Sequence, residues 1–201
     1  MDPISAWATA AGLSWTSGIR LYAVLFICGA LHALGWIELP FALRVLADPL
    51  VLIVSGCLLC VEFLADKVPF VDSLWDSVHT FIRIPAGAML AAGVFGPDHA
   101  PTAIAAGLLG GTLATGSHLT KAGGRMLINA SPEPVSNWTA SFTEDALVPA
   151  ALLLTFKYPL VLLGLVALFT TLAVWLAPKL VRAIYSFLTR LGRRAARDRS
   201  D

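Results

Sequence analysis

The residues best suited to ionic chemistry lie together in one stretch, residues 62–83, of an otherwise apolar chain. Its ionisable side chains are those of Glu62, Asp66, Lys67, Asp72, Asp76, His79 and Arg83. Apolar runs typical of buried or lipid-facing helices, 49–61 and 84–95, flank the stretch on both sides. Ionisable groups inside a membrane are costly unless they pair with one another or line a wet cavity. We therefore interpret these residues as a coupling or ion-pair site.

Four of these residues share one face of a predicted helix. Asp72, Asp76, His79 and Arg83 follow one another at positions i, i+4, i+7 and i+11. This spacing places side chains above one another on a single helix face. The sequence therefore predicts a helix whose polar stripe faces a protein interior or a cavity.

A second polar stretch, residues 117–138, carries mainly basic and neutral polar groups. Ser117, Lys121, Arg125 and Asn129 recur every four residues and again share one helix face. Arginine presents a planar fork of donors that fits phosphate or carboxylate. The candidate residues for binding an anionic substrate are Arg20, His118, Lys121, Arg125 and Asn129. We also expect Glu62, Asp66 and Lys67 to contact this second stretch, with Glu133 or Glu144 as the partner of Lys67.

The composition indicates an all-α polytopic membrane protein. The chain has 201 residues, of which 57% are hydrophobic and 13% are charged, whereas a soluble domain carries about 25% charged residues. Arginines are concentrated in the C-terminal tail, residues 191–201. Basic residues after a final span favour a cytoplasmic C-terminus. Retention of the tail in the cytoplasm explains these residues better than a nucleic-acid partner does.

The apolar segments predict several membrane spans and two broken helices. Residues 4–37 exceed the roughly 20 residues that one span needs, so we expect a break at Gly18–Arg20. A second break is predicted at 157–159, where a proline follows Lys157 and Tyr158. Glu144 and Asp145 are predicted to open the helix that precedes this break, because carboxylates suit a helix N-terminus. The predicted spans after the first segment are 49–65, 75–95, 102–119 and 160–176.

Three short sequence matches recur in the same order and at similar separations, which indicates an internal repeat. The matches pair residues 17–21 with 122–126, 49–52 with 159–162, and 64–67 with 176–179. We interpret the chain as two inverted repeats of about 100 residues with broken or re-entrant helices. Residues 1–96 form the first repeat, residues 97–190 form the second, and the basic tail follows.

Inverted repeats with broken helices are a transporter architecture, in which the site lies between the two halves. The repeat places both arginines at glycine-associated breaks, Gly18–Arg20 and Gly123–Arg125, and predicts that they meet near a pseudo-twofold axis. Neither arginine has an acid one helical turn away, which favours a ligand as their partner. The inverted repeat also predicts that Lys67 and Lys179 lie on opposite faces of the membrane. The alternative is that the two arginines extend to opposite membrane surfaces.

Two long motifs in the chain carry a resemblance to a known family. They are VEFLADKVPFVDSLWDSVHTFIRIPAG at 61–87 and HLTKAGGRMLINASPEPVSNW at 118–138, supported by Gly18–Arg20 and the Glu144–Asp145 pair. With these residues the chain resembles a family of small bacterial integral membrane proteins described as domain of unknown function 4126. The resemblance covers nearly the whole chain, and it implies a bacterial source and a membrane location, hence the bacterial inner membrane. It implies no activity or substrate. Gly124 departs from the pattern, which has a larger apolar residue there.

The function that we expect is a small transporter or lipid flippase for an anionic substrate that bears phosphate or carboxylate. The expected partners are membrane lipids and an anionic lipid or small anion, and the small size of the chain leaves a homodimer open. Internal pseudo-symmetry favours transport over catalysis, because an enzyme has no need of it. We assign no cofactor, no metal and no catalytic residue, because no nucleophile with a partnered base is evident.

Two alternatives remain open at this point. A membrane-embedded enzyme acting on a lipid or prenyl phosphate could hold a divalent metal with Asp72, Asp76 and His79. Asp-x3-Asp-x2-His is a weak pattern with many chance matches. The other alternative is a membrane scaffold or assembly protein in which the charges form structural ion pairs.

Overall fold

A computed structural model describes residues 2–129 and 134–197. This part of the chain is helical and contains no strand, which confirms the all-α prediction. The helices in order are α1 (Pro3–Ile19), α2 (Leu21–Ala33), a 3₁₀ helix (Phe41–Ala47), α3 (Pro49–Ala65), α4 (Val71–Phe95), a 3₁₀ turn (Pro97–His99), α5 (Ala100–Asn129), α6 (Pro134–Lys157) and α7 (Pro159–Arg197).

The chain divides into two compact units, Met1–Val166 and Ala167–Asp201. The first unit holds α1 to α6 and the start of α7. The described part of the second unit is the remainder of α7, in which the Lys179 ammonium lies 3.0 Å from the centre of the Trp175 ring. The division into repeats 1–96 and 97–190 stays a prediction. Residues 198–201 of the predicted basic tail lie outside the described residues.

Arg20 separates α1 from α2, as the sequence predicts. Its backbone is extended, with φ −143° and ψ 93°, so the hydrogen-bonded ladder of one helix ends there and the next begins. Tyr158 likewise separates α6 from α7, and Pro159 opens α7, where a proline is well tolerated because its missing N–H costs no helical hydrogen bond.

Two predicted features of the second half are wrong. Gly123–Arg125 lies inside α5, which continues unbroken to Asn129. Each glycine weakens a helix by only about 1 kcal/mol, which packing along the rest of α5 can offset. Glu144 and Asp145 do not open a helix, because α6 begins at Pro134 and places them in its middle.

Within residues 2–129 and 134–197, two helices are long and apolar enough to cross a membrane, α4 and Pro159–Leu176. A third candidate span arises if the 3₁₀ helix and α3, which meet at a bend of 66°, count together. The predicted span 102–119 lies in α5, which is not among these candidates because glycine, threonine, serine and histidine reduce its apolar character.

The core of the first unit is built where α1, α4 and α5 pack against one another. Small residues line the contacts, as expected for membrane helices that approach closely. A Cβ at Gly18 would collide with the backbone oxygen of Ala114, and one at Gly110 would collide with the side chain of Ala91. The Ser14 hydroxyl of α1 also donates to the Gly87 carbonyl of α4 at 2.9 Å. This close approach brings the polar faces of the three helices together.

We expect Gly18→Ala to lower the free energy of unfolding by about 1–3 kcal/mol, the usual cost of overpacking. The matched control is Gly123→Ala, because an added Cβ there meets no atom within 4 Å. The control should be neutral or more stable by up to about 1 kcal/mol, since alanine favours the helix. Denaturant unfolding of the purified protein in detergent measures both. Equal stabilities for the two variants would show that the helices are not in close contact at Gly18.

Candidate functional site

The predicted polar stripe of α4 is buried. Asp72, Asp76, His79 and Arg83 are each at most 5% exposed. Phe81, on the opposite side of the same helix, is 83% exposed. The helical spacing in the sequence therefore identified the inward face of α4 correctly.

The predicted polar stripe of α5 is also directed inward. Ser117, His118, Lys121 and Arg125 are buried, and Asn129 is half-buried. The two stripes meet charged residues from α3, from α6 and from the α1–α2 break. We call the resulting group the ionic cluster; it consists of the cations Arg20, Lys67, Arg83, Lys121 and Arg125 and the carboxylates Glu62, Asp66, Asp72, Asp76, Glu144 and Asp145.

Asp66, which follows the last residue of α3, is the centre of the ionic cluster. Its Oδ2 atom lies 2.9 Å from Arg20 Nη2 and 2.9 Å from Lys121 Nζ. Its backbone carbonyl accepts a hydrogen bond from Arg125 Nη1 at 2.9 Å. Burial alone raises the pKa of the Asp66 carboxyl, but Lys121 and Arg20 more than offset this and hold the pKa below its ordinary value.

The lowered pKa of Asp66 predicts acid sensitivity. The ionised form stabilises the fold fully above the unfolded pKa of about 3.9, and this contribution is lost as the pH falls through the lower folded pKa. We expect the melting temperature to drop below about pH 4, and Asp66→Asn to lack this part of the decline. Thermal unfolding of both proteins across the acidic range checks this. Parallel profiles for the variant and the parent would contradict it.

Arg83 joins three helices. Its Nη2 donates to Glu62 of α3, and its Nη1 donates to Asp76 Oδ1 at 2.9 Å. Nη1 also lies 3.1 Å from Nδ1 of His118 on α5. An arginine can only donate, so Nδ1 accepts and the His118 proton is on Nε2, which lies 2.7 Å from the Thr80 hydroxyl. His118 is therefore a neutral part of the hydrogen-bond network.

Arg125 is fully engaged by the protein. Its Nε and Nη2 atoms donate to the two carboxylate oxygens of Glu144 at 3.2 and 3.0 Å. Its Nη1 atom donates to the Asp66 backbone and to Asn137. Since each guanidinium nitrogen has an acceptor, Arg125 has the geometry of a structural ion pair.

The Arg20 guanidinium contacts its partners through a single nitrogen, Nη2. Its Nη2 atom lies 2.9 Å from Asp66, 2.9 Å from Asp145 and 3.3 Å from the Ser141 hydroxyl. Its Nε and Nη1 atoms are buried and have no hydrogen-bond partner among the described residues. The absence of an acid one helical turn away favoured a ligand as the partner of both arginines, but the structure also pairs both of them with carboxylates from other helices.

The structure brings Arg20 and Arg125 to the same carboxylates, whereas the pseudo-twofold axis of the predicted repeat stays a prediction. Glu144 Oε2 lies 3.0 Å from Arg125 and 4.0 Å from Arg20. Asp66 Oδ2 lies 3.9 Å from Arg125. The two arginines therefore lie at one site rather than at opposite surfaces.

The remaining candidate residues contact one another, α6 or the end of α1. Lys67 Nζ contacts Asp145 at 3.1 Å. Asn129 donates to Asp72 at 2.7 Å, and Asn137 donates to the other oxygen of Asp72 at 2.8 Å. Lys121 also donates to the Ile19 carbonyl at 3.2 Å.

The expected contacts between the two polar stretches form only in part. Asp66 contacts Lys121, as expected. Glu62 of α3 instead contacts Arg83, in the middle of α4, within its own stretch. Glu133, one of two expected partners of Lys67, lies outside the described residues; the other, Glu144, binds Arg125 instead.

Residues on α6 complete the site, and the sequence analysis missed most of them. Asn137, Ser141 and Asp145 recur every four residues and face Arg125, Arg20 and Lys67. This i, i+4, i+8 spacing was readable in the sequence. The spacing was missed because Glu144 and Asp145 were expected to open the helix, which left Asn137 and Ser141 outside it.

The metal-binding alternative for Asp72, Asp76 and His79 does not fit the structure. His79 Nδ1 lies 2.7 Å from the Trp75 carbonyl, and Nε2 lies 3.0 Å from the Tyr22 hydroxyl. Within residues 2–129 and 134–197 no group of three or more His, Cys, Asp or Glu side chains is arranged to hold a metal.

A surface cavity of 690 Å³ lies at the other end of α1 from Arg20. It is lined by Trp7, Phe41 and Phe95 together with neighbouring residues, none of which belongs to the ionic cluster.

A family model described as a domain of unknown function (DUF4126) matches residues 7–179. The chain belongs to this family. The match includes the whole ionic cluster, so the cluster lies within the family's domain. No curated protein and no solved structure matches the chain.

Proposed function

We propose that this protein is a membrane transporter for an anion that carries a phosphate or a carboxylate, and that Arg20 makes the main contact with it. The observation that carries the proposal is the unpartnered part of the Arg20 guanidinium. Nε carries one N–H and Nη1 carries two, and the side chain is only 1% exposed. A buried donor without an acceptor costs about 1–3 kcal/mol, so an anion that accepts from these groups would relieve a cost built into the fold.

The position of Arg20 supports the same proposal. Arg20 is the residue before the first turn of α2, and no side chain among the described residues caps that turn. The first N–H groups of a helix have no partner within it and favour an anion. A guanidinium beside an uncapped helix start is well suited to a phosphate, on either a lipid headgroup or a free solute.

Transport rather than simple binding is favoured by the candidate spans and by the burial of Arg20. A membrane-embedded anion site that is closed off must open to release its ligand, and inverted repeats provide such a motion. Pro49 and Pro159, which the repeat pairs, each open a helix. We further propose a bacterial inner-membrane location with a cytoplasmic C-terminus, on the basis of the family resemblance and the basic tail.

Inversion of the repeats predicts opposite labelling of two single cysteines. Cysteines introduced at Lys67 and Lys179, in a background without the three native cysteines, should react with an impermeant reagent from opposite sides of the membrane. The cysteine at Lys179 should be the cytoplasmic one. Reaction of both from the same side would refute the inverted repeat.

A structural scaffold is the second candidate, and the pairing of the charges favours it. Each of the five cations lies within 4.0 Å of at least one carboxylate. A scaffold needs no further partner for Arg20. The two functions therefore differ in whether an added anion binds.

Anion-induced stabilisation separates the two candidates. Delipidated protein in detergent is heated with inorganic phosphate, with acetate or with phosphatidylglycerol, and the rise in melting temperature is measured. Transport of an anion predicts a rise with at least one of them, and the comparison distinguishes a free anion from a lipid headgroup. Arg20→Lys should abolish the rise, because lysine lacks the fork.

The matched control is Arg125→Lys. Its melting temperature without ligand should fall, because a paired donor is lost, but the anion-induced rise should persist. If no anion raises the melting temperature of the parent protein, the scaffold is the better account.

A further inference from the structure

The ionic cluster contains one more acid than base. It has five cations and six carboxylates. His118 is neutral, because its Nδ1 accepts from Arg83. His79 is neutral when its Nδ1 donates to the Trp75 carbonyl and its Nε2 accepts from the Tyr22 hydroxyl. An uncompensated charge in a buried site is costly, and a group in that position binds a counter-ion or a proton instead.

Glu62 is the carboxylate with the least compensation. It is 0% exposed, its single close cation is Arg83, and its Oε2 atom has no hydrogen-bond partner among the described residues. Asp66 and Asp76 also each have an oxygen without a partner. Each of these two, however, lies within 4.0 Å of at least two cations.

The other three carboxylates have further donors or further cations. Asp72 accepts hydrogen bonds from Asn129 and Asn137 and from a backbone N–H. Glu144 and Asp145 each contact at least two cations and are 15% and 21% exposed. The excess negative charge is therefore centred on Glu62.

We propose that Glu62 binds one proton at Oε2 and that this proton enters together with the anion at Arg20. The second half of this inference rests on the proposed function. Protonation converts the carboxylate to a carboxylic acid and raises the formal charge of the cluster by one. A monoanion at Arg20 lowers that charge by one, so entry of one proton with each monoanion leaves the charge of the buried site unchanged.

Charged and titratable groups from several helices face Glu62. They are Arg83 on α4, Lys121 on α5, Arg20 at the α1–α2 break, Tyr22 on α2 and Asp66 at the end of its own helix. When Glu62 is protonated, Arg83 keeps Asp76 as its counter-ion at 2.9 Å. The proton therefore leaves no cation unpaired, which makes Glu62 the carboxylate that can be neutralised with the least disturbance.

Infrared spectroscopy tests proton binding without any transport. Full-length protein in lipid bilayers is compared between mildly acidic and mildly alkaline pH, and the carbonyl stretch of a carboxylic acid is followed. The band should appear on acidification, shift with ¹³C-labelled glutamate but not with ¹³C-labelled aspartate, and disappear in Glu62→Gln. Glu144→Gln is the control and should retain it. A band that ignores the glutamate label, or that survives in Glu62→Gln, overturns the proposal.

Coupling is tested with dimethyl phosphate, which stays a monoanion, in liposomes that contain a pH-sensitive dye. The parent protein should acidify the interior with about one proton for each anion taken up. Glu62→Gln should lose the dye signal. Anion uptake by the parent without acidification overturns the coupling but leaves the transport function intact. An infrared band from Glu62 without any anion uptake leaves the proton site standing and removes the transport function.

Discussion

Asp66→Asn is expected to lower the free energy of unfolding by about 3–5 kcal/mol, the range found when one partner of a buried ion pair is removed. The Asp66 carboxylate lies 2.9 Å from both Arg20 and Lys121 and 3.9 Å from Arg125. Asparagine keeps the shape of the side chain but removes its charge. Three buried cations would then share the remaining carboxylates, and the helices that carry them would repel one another.

Asp98→Asn is the matched control for this substitution. Asp98 lies in the exposed turn before α5, where loss of a charge changes stability by about 0.5 kcal/mol at most. Denaturant unfolding in detergent micelles, followed by circular dichroism, measures both variants. If Asp66→Asn unfolds like Asp98→Asn, the ionic cluster does not hold the helices together.

Among the charged pairs of the ionic cluster, Arg125 and Glu144 should have the largest coupling free energy of unfolding. Their bidentate contact joins α5 to α6 through two hydrogen bonds of 3.2 and 3.0 Å. Arg125→Gln and Glu144→Gln alone should each cost about 1.5–3 kcal/mol, because each removes charge-assisted hydrogen bonds between the two helices. The double variant should cost less than the sum of the two, with a coupling of about 1–3 kcal/mol.

A double-mutant cycle of unfolding free energies measures this coupling. The same cycle for Arg44 and Glu144 is the control, because Arg44 is exposed on the 3₁₀ helix before α3. Its coupling should be close to zero. An additive cycle for Arg125 and Glu144 would mean that the bidentate contact contributes no net stability.

The buried faces of α4 and α5 could be predicted because a period of 3.6 is visible in residue types alone. Asp72, Asp76 and Arg83 stand at helical spacing among apolar residues, and Lys121 and Arg125 do the same in α5. In so apolar a chain a polar stripe can only turn inward. The break at Arg20 was predictable from segment length for a similar reason.

The partners of the charges could not be predicted, because they depend on how the helices pack. Arg20 contacts Asp66 and Asp145, which are 46 and 125 residues away from it in the sequence. Local spacing says nothing about contacts of this kind, so the arginine looked unpaired. The continuity of α5 through Gly123 was missed because glycine weakens a helix without ending it when other residues of that helix pack well.

Uptake of radiolabelled phosphate into liposomes tests the central claim most directly. Vesicles with equal amounts of the parent protein, of Arg20→Lys or of Arg125→Lys are compared with empty vesicles. All carry an inward proton gradient. The account predicts uptake by the parent protein well above that of empty vesicles, partial or full uptake by Arg125→Lys, and a loss to the level of empty vesicles in Arg20→Lys. Uptake by Arg20→Lys equal to that of the parent, or no uptake by the parent, would contradict it.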